Sequence, residues 1–174
     1  VLVAPDFDPR RVNHCSFSGD VRLGSFRGEF KLAGGYVKQS GLSYVALHNV
    51  SVGNDCCIEH IHNYIANYVI GNHTFIQNVD VIAVTQLSSF GNGVEVAVLN
   101  ETGGREVPIS DKLSAHLAYI MALYRHRPEL IARLHEITDF YSRKHSSSIG
   151  EIGDDVRIVN SGSITDVKIG DCCV

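Results

Sequence analysis

Residues 50–82 carry a spacing that few folds accommodate. Val52, Ile58, Tyr64, Ile70, Ile76 and Ile82 recur every six positions, and Gly53 and Gly71 stand eighteen apart. A helix repeats every 3.6 residues and a half-buried strand every two, so neither accounts for a period of six. Short repeats of this length mark a β-helix, in which each coil buries its inward side chains only by stacking on the next. The spacing predicts coils of about 18 residues with Ile58, Ile70 and Ile76 pointing inward. Asn49, Asn54, Asn63, Asn67, Asn72 and Asn78 would stand at tight corners, because asparagine tolerates left-handed backbone. One buried isoleucine contributes roughly 1.5–3 kcal/mol, so a charge at any of those three isoleucines should unfold a coil.

The pattern reaches beyond this stretch. Val21-Arg22-Leu23-Gly24, Val50-Ser51-Val52-Gly53 and Val167-Lys168-Ile169-Gly170 share one form, and irregular first rungs begin near Val12. Ile152, Ile158 and Ile164 are again six apart, with a five-residue step to Ile169 that matches the step from Ile65 to Ile70. Leu32-Ala33-Gly34-Gly35 reads as a turn or bulge.

After Val84 the period degrades. Residues 94–99 alternate weakly as a strand, and residues 100–108 form a polar, glycine-rich loop. Ser110-Asp111 is a helix-capping pair. Leu113, Leu117, Ile120, Met121 and Tyr124 then lie on one helical face. Pro128 suits the first turn of a second helix, striped by Leu130, Leu134, Ile137 and Tyr141. The expected fold is mainly β: a parallel β-helix over 1–109 with irregular N-terminal rungs, an inserted antiparallel αα-hairpin over 110–146, and resumed coils over 147–174, all one domain.

The chain opens on Val1 and stops inside a repeat, so it reads as part of a longer protein. An open last coil would present unpaired strand edges and favour self-association, hence a homo-oligomer. Its 174 residues suffice for one continuous core. A net charge of −4 argues against non-specific nucleic-acid binding. No apolar run approaches the ~20 residues of a membrane-spanning helix. The five cysteines form an odd set with two adjacent pairs, Cys56-Cys57 and Cys172-Cys173, which suggests reduced thiols and a cytoplasmic setting.

Ile70-Gly71-Asn72-His73-Thr74-Phe75-Ile76 and Ile152-Gly153-Asp154-Asp155-Val156-Arg157-Ile158 resemble the hexapeptide repeat of left-handed β-helix proteins. These include bacterial acyltransferases and the C-terminal domains of nucleotide-sugar pyrophosphorylases. More narrowly, residues 63–68 and 99–108, followed by the hairpin, resemble a poorly characterised family of long bacterial hexapeptide-repeat proteins. The resemblance implies a left-handed coil and a transferase-like protein acting on or binding a nucleotide-sugar or an acyl-CoA. The alternative is a non-catalytic scaffold or oligomerisation module.

The residues supply few parts for chemistry. Leu32-Ala33-Gly34-Gly35-Tyr36-Val37 copies half of a pyrophosphorylase signature, and Gly103-Gly104-Arg105-Glu106-Val107-Pro108 copies the rest imperfectly. The nucleotidyltransfer domain is therefore not in this chain. An acyltransferase needs a histidine base. On a coil of eighteen, His60 stacks over Asn78 and His62 over Asp80, which makes His62–Asp80 a candidate base and orienting pair. The plainer alternative is a set of outward polar residues. Glu101, Thr102 and Arg105 could hold an anion on the 100–108 loop, or Glu101 and Arg105 could simply pair with each other. Arg125-His126-Arg127 reads as a solvated helix turn. Adjacent cysteines point to opposite faces of a strand, so Cys56 and Cys57 are expected to fill corners rather than bind metal, and no cofactor is expected.

Overall fold

The computed structural model describes residues 1–97 and 103–174. It divides into two compact units, Val1–Gln86 with Ser148–Val174, and Leu87–Ser147. In chain order the first unit contains β1 (Leu2–Val3), β2 (Val12–Ser18), β3 (Arg22–Leu23), β4 (Glu29–Lys31), β5 (Val37–Gln39), β6 (Gly41–Val52), β7 (Cys57–Ile70) and β8 (Phe75–Ala83). The second unit follows with β9 (Glu95–Ala97), β10 (Glu106–Pro108), α1 (Ala115–Leu123) and α2 (Pro128–His145). The chain then returns to the first unit with β11 (Gly150–Ile152) and β12 (Arg157–Thr165).

The first unit is mainly β and rests on one large parallel sheet. Its spine runs β1-β3-β6-β7-β8-β12, with β2 also paired to β6 and β11 to β7. Register explains the six-residue spacing. Leu42, Ile58, Ile76 and Ile158 fall on one line across the strands, and Leu47, Ile65, Ile82 and Ile164 fall on a second. Leu23, Val52, Ile70 and Ile152 form a third line, which a bridge to Ile169 extends. Ile58, Ile65, Ile76 and Ile82 are fully buried. Each strand thus removes its branched side chains from water by lying on the next.

One member of the six-residue series departs from expectation. Tyr64 is 46% exposed, and Ile65 takes the inward place. The cause is a bulge. Ile61 pairs with Val79 and Tyr64 with Val81, so β7 carries one more residue here than β8. Because side chains alternate across a strand, an added residue turns its successors to the other face.

The corners are built in two ways. Left-handed backbone recurs in lines: His14, Tyr44, His60, Asn78 and Asn160 at one corner, Asn49, Asn67 and Asp166 at another, and Asp55, His73, Asp155 and Cys172 at the third. Asn54, Asn63 and Asn72, expected in that role, do not adopt it. Asn54 and Asn72 instead cap the strand above or below. Asn54 Oδ1 accepts from the Ser25 amide at 3.0 Å, Asn72 Oδ1 from the Asn54 amide at 2.9 Å, Asp154 Oδ1 from the Asn72 amide at 2.5 Å, and Asp171 Oδ1 from the Asp154 amide at 2.8 Å. The recurring Gly-Asn/Asp pair follows from this ladder. A Cβ on Gly71 would lie 2.5 Å from the Gly153 carbonyl carbon, so the corner closes only on glycine.

The β4 and β5 strands form an antiparallel hairpin through the Ala33-Gly34-Gly35 turn. Phe30 and Leu32 from this hairpin pack on Cys57 and Phe75. Lys38 pairs with Glu59, whose Oε1 also accepts from Gln77 Nε2 at 2.8 Å. Glu59 and Cys57 are therefore buried although they lie on the outer side of the strand.

In the second unit β9 and β10 are antiparallel, and α1 lies against β10. Ser114, not Ser110 or Asp111, caps α1: its Oγ accepts from the Leu117 amide at 3.2 Å. Asp111 accepts from the Tyr141 hydroxyl, which raises that phenol's pKa. Pro128 opens α2 as expected. Only Met121 of α1 and Ile131 of α2 are buried, and Ile131 lies outside the expected stripe of Leu130, Leu134, Ile137 and Tyr141. Among the described residues, no helix is long and apolar enough to cross a membrane.

Candidate functional site

The sheet unit carries a cleft of about 540 Å³ whose polar lining is Arg22, Asn49, Asn67, Thr85, Gln86 and Ser148, among others. The corner lines put these groups together. Left-handed backbone at Asn49 and Asn67 stacks their amides, and Asn49 Nδ2 donates to Asn67 Oδ1 at 3.3 Å. Asn49 Oδ1 accepts from the Asp20 amide at 3.0 Å, and Asn67 Nδ2 donates to the Val84 carbonyl at 2.8 Å. Thr85 donates through its amide and its hydroxyl to Asp166, both at 3.0 Å. Arg22 and Asp20 form an exposed ion pair at 3.3 Å. Tyr68 forms an inner wall, its hydroxyl donating to the Val167 carbonyl at 2.7 Å, and burial pushes its phenol pKa up. Amides, hydroxyls and a single guanidinium can hydrogen-bond a neutral, hydroxyl-rich ligand and meet one negative charge.

The sequence-derived candidates are placed differently. Asp80 is met by Asn63 Nδ2 and, at 3.4 Å, by Ser163 Oγ, while His62 is exposed. The bulge in β7 is the reason: the slip between Ile61 and Tyr64 sets Asn63, not His62, over Asp80. His60 does occupy the corner line that holds Asn78. Arg105 is exposed, but the Gly104 amide beside it already donates to Glu106 Oε1 and Oε2 at 3.0 and 3.1 Å. Glu101 and Thr102 lie outside the described residues. Arg125 is not a solvated turn residue: it is half-buried and donates from Nη2 to the Glu106 carbonyl at 3.0 Å. Cys56 fills a corner, its thiol donating to the Gly71 carbonyl at 3.0 Å, and Thr74 repeats this toward the Gly153 carbonyl at 3.0 Å. Among the described residues no three His, Cys, Asp or Glu side chains gather as a metal site would require.

Two features escape a reading of the sequence. His14, Tyr44 and His60 stack as a column of exposed rings, with centroids 4.6 and 5.2 Å apart. Phe30 stacks on His73 at 4.6 Å, and His73 Nδ1 meets Asp155 at 2.7 Å. Their common signal is the left-handed corner, which histidine and tyrosine occupy here as readily as asparagine.

Fold and cleft together define a mainly β protein whose repetitive parallel sheet carries a concavity where two stacked amides and a guanidinium stand among apolar side chains such as Val50, Val69, Val84 and Ile149. The chain belongs to the family described as Domain of unknown function (DUF4954), whose model matches residues 1–174. It is also similar to an uncharacterized protein of Treponema pallidum (strain Nichols), at 30% identity over 165 residues, covering 88% of this chain and 22% of that relative. The chain thus spans less than a quarter of that relative's length. No solved structure matches it.

Proposed function

We propose that the sheet unit is a left-handed parallel β-helix of the hexapeptide-repeat type. We further propose that it serves as the substrate-binding part of a transferase-like protein whose ligand is a nucleotide-sugar. Three aliphatic lines and three corner lines support the winding. The observation that carries the ligand is the cleft built on Asn49 and Asn67. Stacked amides with Thr85 and Ser148 suit sugar hydroxyls, and Arg22 suits a phosphate. An acyl-CoA fits less well, because it carries a further phosphate beyond the diphosphate of a nucleotide-sugar and Arg22 is the one basic side chain lining the cleft. The five cysteines carry free thiols, which supports a cytoplasmic setting.

Thermal-shift titration with UDP-sugars, CoA and acetyl-CoA tests the reading, since a ligand that binds only the native state adds RT ln(1 + [L]/Kd) of stability. UDP-sugars should raise the melting temperature. Asn67→Gly, which keeps the left-handed corner and removes the amide, should abolish that rise. A melting temperature that no nucleotide ligand moves would end the proposal.

A scaffold role is the second reading. Leu130, Ile137 and Phe140 of α2 are 41%, 52% and 66% exposed, as a surface used for assembly would be. Light scattering that finds a homo-oligomer, dispersed by Ile137→Lys, would favour it.

A further inference from the structure

Among the described residues, three buried side-chain polar atoms have no hydrogen-bond partner: Ser40 Oγ, Arg125 Nε and His135 Nε2. Two of the three line one cavity. This space of about 510 Å³ lies within the helical unit and is walled by Arg125, His135, Pro128, Ile131, Glu136 and Asp139, with Ala132 beside them. It shares no residue with the cleft of the sheet unit.

Native proteins seldom leave such atoms empty, because a buried polar group without a partner has lost its water and gained nothing. Arg125 is also fixed in place, since its Nη2 is held by the Glu106 carbonyl at 3.0 Å. Its guanidinium stays charged at any physiological pH, so Nε presents a charged donor. His135 Nε2 adds a second donor in the tautomer that carries its hydrogen there. Ile131, itself buried, lays an apolar wall beside these two atoms, and a charge-assisted bond made against it is stronger than one made in open water.

The two acidic side chains differ in what they leave available. Glu136 is engaged by Arg133 at 2.8 Å. Asp139 is the remaining carboxylate on the wall, so a bare anion is repelled on that side and a hydroxyl or ammonium group is welcome.

We propose that this cavity binds a small oxyanion, carboxylate or phosphate, that carries a neighbouring hydroxyl. Arg125 Nε and His135 Nε2 take the oxyanion, and Asp139 accepts from the hydroxyl.

The test uses the 174-residue chain. Acetate, glycolate, inorganic phosphate and glycerol phosphate are titrated while the His135 ring resonances are followed by NMR. Saturable shifts are expected, with glycolate tighter than acetate, and glycerol phosphate tighter than phosphate if the source is a phosphate ester. His135→Leu and Arg125→Met should each weaken binding by about tenfold or more. Asp139→Asn should erase the preference for the hydroxylated ligand. Because His135→Leu also removes an orphaned donor, its melting temperature without ligand should equal or exceed that of the parent. Failure of all four probes to move the His135 resonances overturns the proposal, and that result needs no variant to fold. A His135→Leu protein that melts lower while no probe binds the parent shows that water satisfies these donors, and it overturns the proposal equally.

Discussion

In the sheet unit Ile58, Ile65, Ile76 and Ile82 are fully buried, whereas in the helical unit Leu130, Ile137 and Phe140 keep from 41% to 66% of their surface in water. Both stretches are apolar and periodic in sequence. They differ in what each repeat can reach. A strand in register lies directly on its neighbours, so every branched side chain in a line finds another above and below it. A helix buries its stripe only where a second element happens to lie, and for α2 the described contacts take in Ile131 alone as a buried residue. Periodicity therefore forecasts burial when the repeat supplies its own partner, and forecasts much less when the partner must come from elsewhere.

The largest test of this contrast is a charge in each region. Ile76→Asp buries an uncompensated carboxylate and should cost more than about 4 kcal/mol, which would unfold the sheet unit. Ile137→Asp should change stability by about 0.5 kcal/mol or less. Chemical denaturation followed by circular dichroism measures both, and equal losses would break the comparison. Next in size comes the bulge in β7. Ile65→Ala should cost roughly 2–5 kcal/mol, as a buried isoleucine does. Tyr64→Ala should cost less than about 1 kcal/mol, because its ring is outside. The reverse order would restore the unbroken six-residue series.

Gly71→Ala forces a methyl against the Gly153 backbone and should cost about 1–3 kcal/mol. The same change at Gly104, which has nothing within 4 Å, meets only the penalty of its left-handed backbone, about 1 kcal/mol.

The last effect is alkaline and is confined to high pH. Burial pushes the Cys56 thiol up to about 12 and the Cys57 thiol up to about 11. Both shifts are upward from an ordinary value of 9.0, so the native state keeps protons that the unfolded chain has released. Their stabilisation is whole below about pH 8.5 and is lost as pH rises toward 11 and 12. The slope is at most about 1.4 kcal/mol per pH unit for each thiol. Cys56→Ala should flatten the loss of sheet-unit stability between pH 9 and 10.5 relative to the parent. Residues 87–147 contain no cysteine, so the helical unit lacks this source of alkaline sensitivity. An unchanged slope in the variant would place Cys56 in contact with solvent.

Much of the sheet unit can be read from the sequence because its rules are local and repeated. The aliphatic lines follow from six-residue spacing, and the Gly71-Asn72 and Gly153-Asp154 pairs mark a corner where backbones touch. Three things resist such reading. The extra residue in β7 has no distinctive sequence mark, since Tyr64 and Ile65 are both apolar. Yet it moves Asn63 over Asp80 and leaves His62 outside. The burial of Cys57 and Glu59 depends on Phe30 and Lys38, which come from a hairpin more than twenty residues earlier that packs across the sheet. Arg125 looks like a charged turn residue until the Glu106 carbonyl is placed beside it. In each case the deciding partner is remote in sequence, which spacing within a single stretch does not record.

One chain passes over the same sheet positions again and again in the same direction. Backbone nuclear Overhauser contacts in the 174-residue chain test it most directly. Parallel-strand contacts are expected to link the backbone around Ile58 to that around Ile76, and Ile76 to Ile158, with Ile65, Ile82 and Ile164 joined likewise. Antiparallel contacts between β7 and β8, or helical contacts through Ile58 and Ile76, would contradict it.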